Sequence, residues 1–404
     1  MSATPDTSPG AGAGPDTTAE SSYDELLAGR AAAIRVSGWG APFRLFQPHN
    51  ACFWVALALI ALGLWNFVPS YVNTFGVFAA ADITSLVTSG LFALVFLYFL
   101  HRSDRWERTP GRLVASAFVL GGFGAAFAVA LPGNAPLMSI YTKLFGQAWA
   151  VDWKAGLTAP FVEESAKGIC FLLLLGLAPV VIRTAYDGLI VGAYVGLGFQ
   201  VLEDALYGQN SALEKFGADQ VGNVASTFVL RALTGVASHA LYTALFAAGL
   251  IYLIGTVAQP RRVGRGVALV LAAVVIHGVW DSSGAIADGT PLVSVVLVLT
   301  TVVAVVVLFW AIRVGGRRES EFMRAILAPE QARGTISDVE LEAAAGHRRE
   351  RRTFLRSAGD RATRRRRKHI LHAIGDLAED LSRSGGHDDE EVQHARSELH
   401  RIRG

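Results

Sequence analysis

Eight apolar segments follow one another along the 404-residue chain. A helix needs about 20 residues to cross a hydrocarbon core about 30 Å thick, and each segment approaches or exceeds that length. The pattern predicts an all-α fold, a polytopic membrane helix bundle with about eight transmembrane helices. The predicted spans are residues 51–68, 83–100, 112–131, 157–182, 186–206, 226–255, 265–286 and 292–313.

Two tails flank the apolar body. Residues 1–49 are rich in Ser, Thr, Pro, Gly and Ala, which predicts a mostly disordered tail. Residues 50–314 form the helical domain, and residues 315–404 form a charged tail that holds 19 of the 36 Lys and Arg residues. Apolar residues at helical spacing in that tail predict an amphipathic helix, which either pairs with another helix or rests on anionic lipid headgroups. Its apolar positions are Ile370, Leu371, Ile374, Leu377 and Leu381.

Basic residues concentrate in alternate connections between the spans, which indicates the cytoplasmic side. With eight spans, both termini are therefore predicted to be cytoplasmic in a multi-pass protein of the cell membrane. The net charge of +2 is too small to indicate a nucleic-acid partner. The Ala, Gly, Val and Arg content suggests a GC-rich bacterial genome. The basic residues of this set are Arg102, Arg105, Arg108, Arg112, Arg183, Arg261, Arg262, Arg265, Arg313, Arg317 and Arg318.

Ionisable residues interrupt four consecutive apolar segments. Each costs about 2.5–3.5 kcal/mol at the centre of a membrane helix, so such residues mark functional sites. With the predicted orientation, all of them fall at overlapping depths in the outer half of the membrane, which predicts one shared site. The predicted site residues are Glu163, Glu164 and Lys167 in the fourth span, Glu203 in the fifth, His239 in the sixth, and His277 and Asp281 in the seventh; the sixth span also holds Arg231.

Carboxylates and imidazoles can activate water, hold a metal ion or relay protons. At this point three classes stay open: a hydrolase, a proton-coupled membrane transporter, and a non-catalytic membrane scaffold whose polar cluster is structural. The polar groups stay in one leaflet and no internal repeat relates the two halves, which disfavours the transporter.

The ordered motifs Glu163-Glu164-x-x-Lys167, Phe199-x-x-x-Glu203 and His277-x-x-x-Asp281 resemble those of the PrsW family of bacterial membrane proteases. That family belongs to a wider group of CAAX-prenyl endoproteases and bacteriocin-processing proteases. The resemblance covers about residues 50–313 and implies an intramembrane endopeptidase. The resemblance implies that the substrate is a membrane-anchored protein within the lipid bilayer. In the best-known type of the family, that substrate is an anti-sigma factor.

The resemblance also implies roles for the site residues. Glu163 or Glu164 would activate water while Lys167 tunes the pair, and His239 and His277 would be metal ligands or oxyanion donors. Glu203 would be a further ligand or an orienting group, and Asp281 would support His277. The motifs lack His-Glu-x-x-His, so a divalent metal such as zinc and a metal-free glutamate mechanism both stay open. The sequence leaves the oligomeric state open.

Overall fold

The computed structural model of the protein describes residues 17–235 and 238–404, and within these ranges it is helical, with no β-strand. The described chain divides into two compact units. The larger unit is Val36–Ser320, and the smaller unit combines the described residues up to Arg35 with Glu321–Gly404. These boundaries differ from those predicted from composition, residues 50–314, because folded segments extend beyond the apolar body.

The helices follow one another with short connections. In chain order they are α1 (Thr17–Ser37), α2 (Ala51–Val72), α3 (Phe75–Ser103), α4 (Gly111–Val119), the π-helix π1 (Leu120–Ala130), α5 (Leu131–Phe145), α6 (Gln147–Leu177), α7 (Ala185–Leu213), α8 (Gln220–Thr234), α9 (His239–Ile254), α10 (Val263–Asp281), α11 (Ser283–Ile286), α12 (Val293–Ala332), α13 (Asp338–Ala345), α14 (Arg348–Arg356), α15 (Arg361–Arg383) and α16 (Glu390–Arg403).

The predicted helical membrane bundle is confirmed, although the count of eight spans is approximate. Among the described residues, six helical segments are long and apolar enough to cross a membrane, or seven if α8 and α9 form one bent span. The fourth predicted span coincides with α6, which is 31 residues long. Helix α6 is not among the six because Glu163, Glu164 and Lys167 make it too polar by composition.

Helix α7 forms the centre of the larger unit. Within its most apolar stretch 83% of the residues are buried, whereas only 11% are buried in α2. The start of α7 is fixed by a capping box in which Thr184 and Asp187 satisfy each other's backbone N–H groups. The large apolar side chains of α2, α3 and α12 are mostly exposed, as expected for helices that face lipid.

The segment Gly111–Phe145 continues for 35 residues as α4, π1 and α5. The predicted third span, residues 112–131, therefore ends too early. Pro132 and Pro136 both lie within this continuous helical segment, where each lacks the N–H that would pair with a preceding carbonyl. The continuation places polar residues that sequence reasoning assigned to a loop against α6.

The predicted sixth span, residues 226–255, is broken rather than continuous. Helices α8 and α9 are bent by 42° relative to each other. Residues 236 and 237 lie outside the described part of the chain. His239 is consequently the first residue of α9 and not a residue of a helix interior.

The smaller unit has its own apolar core. The interpretation of residues 1–49 as a disordered tail is wrong for Thr17–Ser37, which forms α1; residues 1–16 lie outside the described residues. The predicted amphipathic helix is confirmed as α15, whose apolar face is buried and packs against α16. Glu330 is buried between Arg30 and Arg396, 2.8 Å from a guanidinium nitrogen of each.

Candidate active site

Four helices of the larger unit bring all of the predicted site residues into one cluster. Their side chains are buried or nearly so, and each lies within ion-pair distance of another member. The cluster combines Glu163, Glu164 and Lys167 from α6, Glu203 from α7, His239 from α9, and His277 and Asp281 from α10.

The close approach of α7 and α9 positions His239. Gly196 of α7 faces the carbonyl oxygen of His239, and a Cβ at position 196 would overlap that oxygen. Small residues at helix contacts permit this spacing inside a membrane. Because α9 begins at His239, the distance between α7 and α9 also determines where the His239 imidazole lies relative to α7.

Lys167 neutralises Glu164 more directly than Glu163. Its Nζ lies 2.6 Å from Glu164 Oε1 and 3.7 Å from Glu163 Oε2. The ammonium also lies 4.2 Å from the centre of the Phe199 ring, within the range of a cation–π interaction. Phe199, which belongs to the predicted Phe199-x-x-x-Glu203 motif, therefore helps to hold the buried cation.

His239 is held from both sides. Lys167 Nζ donates to its Nδ1 at 2.9 Å, since an ammonium has no acceptor, and its Nε2 donates to Glu203 Oε2 at 3.0 Å. The Nδ1 atom lies 3.7 Å from Glu163 Oε2. The unprotonated Nδ1 thus accepts from Lys167 and lies beside Glu163.

His277 is oriented by Glu164 rather than by Asp281 alone. Its Nδ1 lies 3.0 Å from Glu164 Oε1, in hydrogen-bond geometry. Its Nε2 lies 3.7 Å from Glu163 Oε2 and 3.4 Å from Asp281 Oδ2. Both histidines therefore have one nitrogen held by a carboxylate and the other nitrogen near Glu163.

Glu163 differs from Glu164 because one of its carboxylate oxygens has no hydrogen-bond partner among the described residues. Asn134 Nδ2 donates to Glu163 Oε1 at 3.0 Å, while Oε2 is buried and has no hydrogen-bond partner in the described part of the chain. Glu163 lines a cavity of about 480 Å³, together with both histidines, Asp281 and Asn134, and Glu164 does not. Asp281 Oδ2 also has no hydrogen-bond partner among the described residues, but it lies 3.4 Å from His277 Nε2, whereas Glu163 Oε2 lies 3.7 Å from a nitrogen of each imidazole. The cavity therefore offers a reacting molecule an unpaired oxygen of Glu163 between two imidazoles.

Arg231 closes one side of the cavity. Its Nη2 donates to Glu203 Oε2 at 2.7 Å, its Nε donates to Asp204, and its guanidinium lies 4.0 Å from the centre of the Tyr207 ring. Glu203 is thus shared by Arg231 and His239. This pairing leaves Glu203 less available as a metal ligand than the sequence predicted.

Comparison with known proteins gives one match. The family model described as PrsW family intramembrane metalloprotease matches residues 109–312, which is half of the chain and contains every residue of the cluster. The chain belongs to the PrsW family. It is therefore a protease enzyme of the membrane. No curated protein and no solved structure matches the chain.

The residues of this PrsW-family protease fit the metal that the family description implies. Glu163, His239 and His277 each offer a ligand atom, and these atoms lie within 4.8 Å of one another. One carboxylate and two imidazoles are donors typical of a catalytic divalent ion. The unpaired Glu163 Oε2 supports the fit, whereas the Lys167 ammonium would have to leave His239 Nδ1 before a cation bound there.

Sequence reasoning missed the part that Asn134 and Arg231 play in the PrsW-family site. The predicted third span ends at residue 131, so apolar length alone places Asn134 in the connection that follows it. Arg231 is visible as an ionisable residue of an apolar segment, but its pairing with Glu203 and Asp204 depends on the bend between α8 and α9. An isolated polar residue within an extended apolar segment was the available signal in both cases.

Proposed function

We propose that this protein hydrolyses peptide bonds of membrane-anchored proteins with a water molecule activated by Glu163. One observation carries the assignment: Glu163 lines the cavity, and its Oε2 has no hydrogen-bond partner among the described residues. A general base needs a free lone pair within reach of the proton it takes. Glu163 meets this requirement and Glu164 does not.

Glu164 has a supporting role in this proposal. Its Oε1 accepts from both Lys167 and His277, and its Oε2 lies 3.5 Å from the hydroxyl of Thr243. These contacts occupy the carboxylate and orient His277 and Lys167. Removing its charge would leave the buried Lys167 ammonium poorly compensated, which destabilises a protein by about 3–5 kcal/mol when such a pair is broken.

The proposed reaction uses the cavity side of the cluster. Glu163 Oε2 takes a proton from water, the water oxygen attacks the carbonyl carbon of the scissile bond, and negative charge develops on the carbonyl oxygen. In its protonated form His277 donates Nε2–H to that oxygen. The carbonyl double bond then re-forms, the C–N bond breaks, and Glu163 gives its proton to the nitrogen of the leaving amine. The products are a carboxyl group and an amine, and the Glu163 carboxylate returns to its starting state.

As the alternative to this metal-free step, we propose that Glu163, His239 and His277 would hold the divalent ion, and zinc fits this donor set. Glu163 Oε2 and His277 Nε2 would then be ligands and not base and hydrogen-bond donor. When bound, the ion supplies a Lewis acid that polarises the scissile carbonyl. Glu203 would then act through His239, whose Nε2 it accepts from, and not as a ligand. Carboxylates that hold the second nitrogen of a ligating histidine are common partners of such sites.

The proposed substrate is a single-span membrane protein cleaved in the outer half of the bilayer. An anti-sigma factor is the substrate that the family resemblance implies, and a bacterial cell membrane with both termini cytoplasmic is the proposed location. These assignments rest on the alternation of basic connections and on the depth of the ionisable residues in the sequence.

The test is cleavage by the purified full-length protein in nanodiscs, with solubilised bacterial membrane proteins as the substrate pool and labelled N-termini as the readout. We expect Glu163→Gln to lower the rate about 100-fold or more without lowering the melting temperature. Glu164→Gln should lower the melting temperature. Glu214→Gln changes an exposed glutamate and is the matched control. Cleavage at the wild-type rate by Glu163→Gln overturns the proposal.

A further inference from the structure

Asn134 is the polar residue on the face of α5 that lines the cavity. It lies in the first turn of α5, directly after the π-helix π1, and α5 has no fully buried residue. Asn134 lines the cavity together with Leu131 and Met138 of the same helix, whereas its neighbour Ala135 is exposed. A side-chain amide in this position is directed at the site and not at the apolar surroundings.

The amide of Asn134 holds one oxygen of the proposed base. Its Nδ2 donates to Glu163 Oε1 at 3.0 Å. An ionised carboxylate only accepts hydrogen bonds, so the NH₂ group must face Glu163 and the amide oxygen must face away from it. That oxygen, Oδ1, is buried and has no partner among the described residues.

We propose that Asn134 is a positioning residue for Glu163 and that its Oδ1 accepts a backbone N–H of the bound peptide. The inference rests on the proposed function of Glu163. A carboxylate with two free oxygens can rotate about its last bond, and a donor on Oε1 fixes the rotation that presents Oε2 to water. A misplacement of about 1 Å lowers a rate about 100-fold, so this control matters.

The proposed contact between Asn134 Oδ1 and the peptide follows from the need of a buried acceptor for a hydrogen-bond donor. A buried acceptor without a partner is uncommon and needs an explanation. A peptide chain that enters a membrane cavity brings backbone N–H groups that have lost water, and these need acceptors. Because Asn134 lines the cavity beside Glu163, its Oδ1 can receive such a group close to the scissile bond.

A purely structural role makes a different prediction. If Asn134 only ties α5 to α6, its replacement lowers the melting temperature and the amount of folded protein, while kcat per folded molecule stays the same. Two variants separate the roles. Asn134→Asp keeps the size and an acceptor but removes the NH₂ donor, and Asn134→Leu removes both groups.

The experiment measures kcat and KM of the full-length protein in nanodiscs. The substrate is a single-span peptide that contains a cleavage site recovered from the membrane-protein pool. We expect both variants to lower kcat about 10- to 100-fold. Asn134→Leu alone should also raise KM. Asn73→Leu replaces an exposed asparagine that does not line the cavity and should change neither constant.

The outcomes distinguish a failure of the role proposed for Asn134 from a failure of the proposed function of Glu163. If Glu163→Gln is inactive and Asn134→Asp keeps the wild-type kcat, Asn134 does not position the base. An unchanged KM in Asn134→Leu overturns the contact between Oδ1 and the peptide. Failure of the wild type to cleave any member of the pool, or full activity of Glu163→Gln, overturns the proposed function itself.

Discussion

At the residue scale, the adjacent glutamates of α6 differ through their neighbours. Glu164 is fully buried and bonded to Lys167 and His277, whereas Glu163 keeps one oxygen without a partner at the cavity. Consecutive residues of a helix point about 100° apart, so one faces the bundle and the other faces the cavity. This difference in environment gives two identical side chains different proposed roles.

Lys167 should compete with a divalent cation. Its ammonium lies 2.9 Å from His239 Nδ1, so like-charge repulsion opposes an ion at that nitrogen. We expect Lys167→Met to raise the affinity for Zn²⁺, and His239→Ala and His277→Ala to lower it. Metal titration with an elemental analysis of the bound ion checks this. Weaker binding in Lys167→Met, or no binding by either the wild type or this variant, contradicts the metal assignment.

At the element scale, the spacing of α7 and α9 determines the geometry of the site. Gly196 lies against the backbone of His239, and Glu203 lies two turns further along α7, where it accepts from the His239 ring. A change in the distance between these helices therefore moves the imidazole relative to Glu163.

We expect Gly196→Ala to lower both the activity and the melting temperature, because the added methyl group would overlap the His239 carbonyl oxygen. Gly90→Ala is the control: it is also helical, and nothing lies within 4 Å of an added Cβ. That variant should be unchanged or stabilised by about 0.5–1 kcal/mol. Thermal unfolding and cleavage rates measure both effects. Wild-type activity in Gly196→Ala would show that the helix spacing does not control the site.

Apolar periodicity predicted these helices better than it predicted their ends and bends. The motifs on α6, α7 and α10 could be found because ionisable residues in apolar segments are conspicuous. The extension of α4 through π1 to α5 could not, since Pro132 and Pro136 resemble a break in the sequence. The sequence also did not show whether Lys167 pairs with Glu163 or with Glu164. Both lie within one helical turn of Lys167, and the choice depends on side-chain directions.

At the scale of the whole molecule, the larger unit encloses carboxyl groups outside its membrane spans. Asp104 accepts from the backbone N–H of Thr109 at 2.7 Å, and Glu107 accepts from that of Gly40 at 2.5 Å. Burial raises the pKa of Asp104 to about 7, with a further rise from Asp187, and burial raises the pKa of Glu107 well above its ordinary range.

These shifts predict stability that decreases as the pH rises. The folded state binds more protons than the unfolded state between the ordinary pKa of Asp104, 3.8, and its folded pKa of about 7, so stability is lost across that window. We expect the melting temperature to fall as the pH rises from about 4 to about 7, and Asp104→Asn to flatten the curve. Asp288→Asn, at an exposed aspartate, should leave the curve unchanged. A curve that is the same for Asp104→Asn and the wild type contradicts the assignment.

The most direct test of the central claim compares the N-termini of membrane proteins in cells that carry the wild type, Glu163→Gln or Glu214→Gln at matched abundance. We expect new N-termini of single-span proteins, within or just outside the outer leaflet, with the wild type and the Glu214→Gln control and not with Glu163→Gln. These sites would also identify the substrate. The same N-termini in cells that carry Glu163→Gln would contradict the assignment of Glu163 as the base.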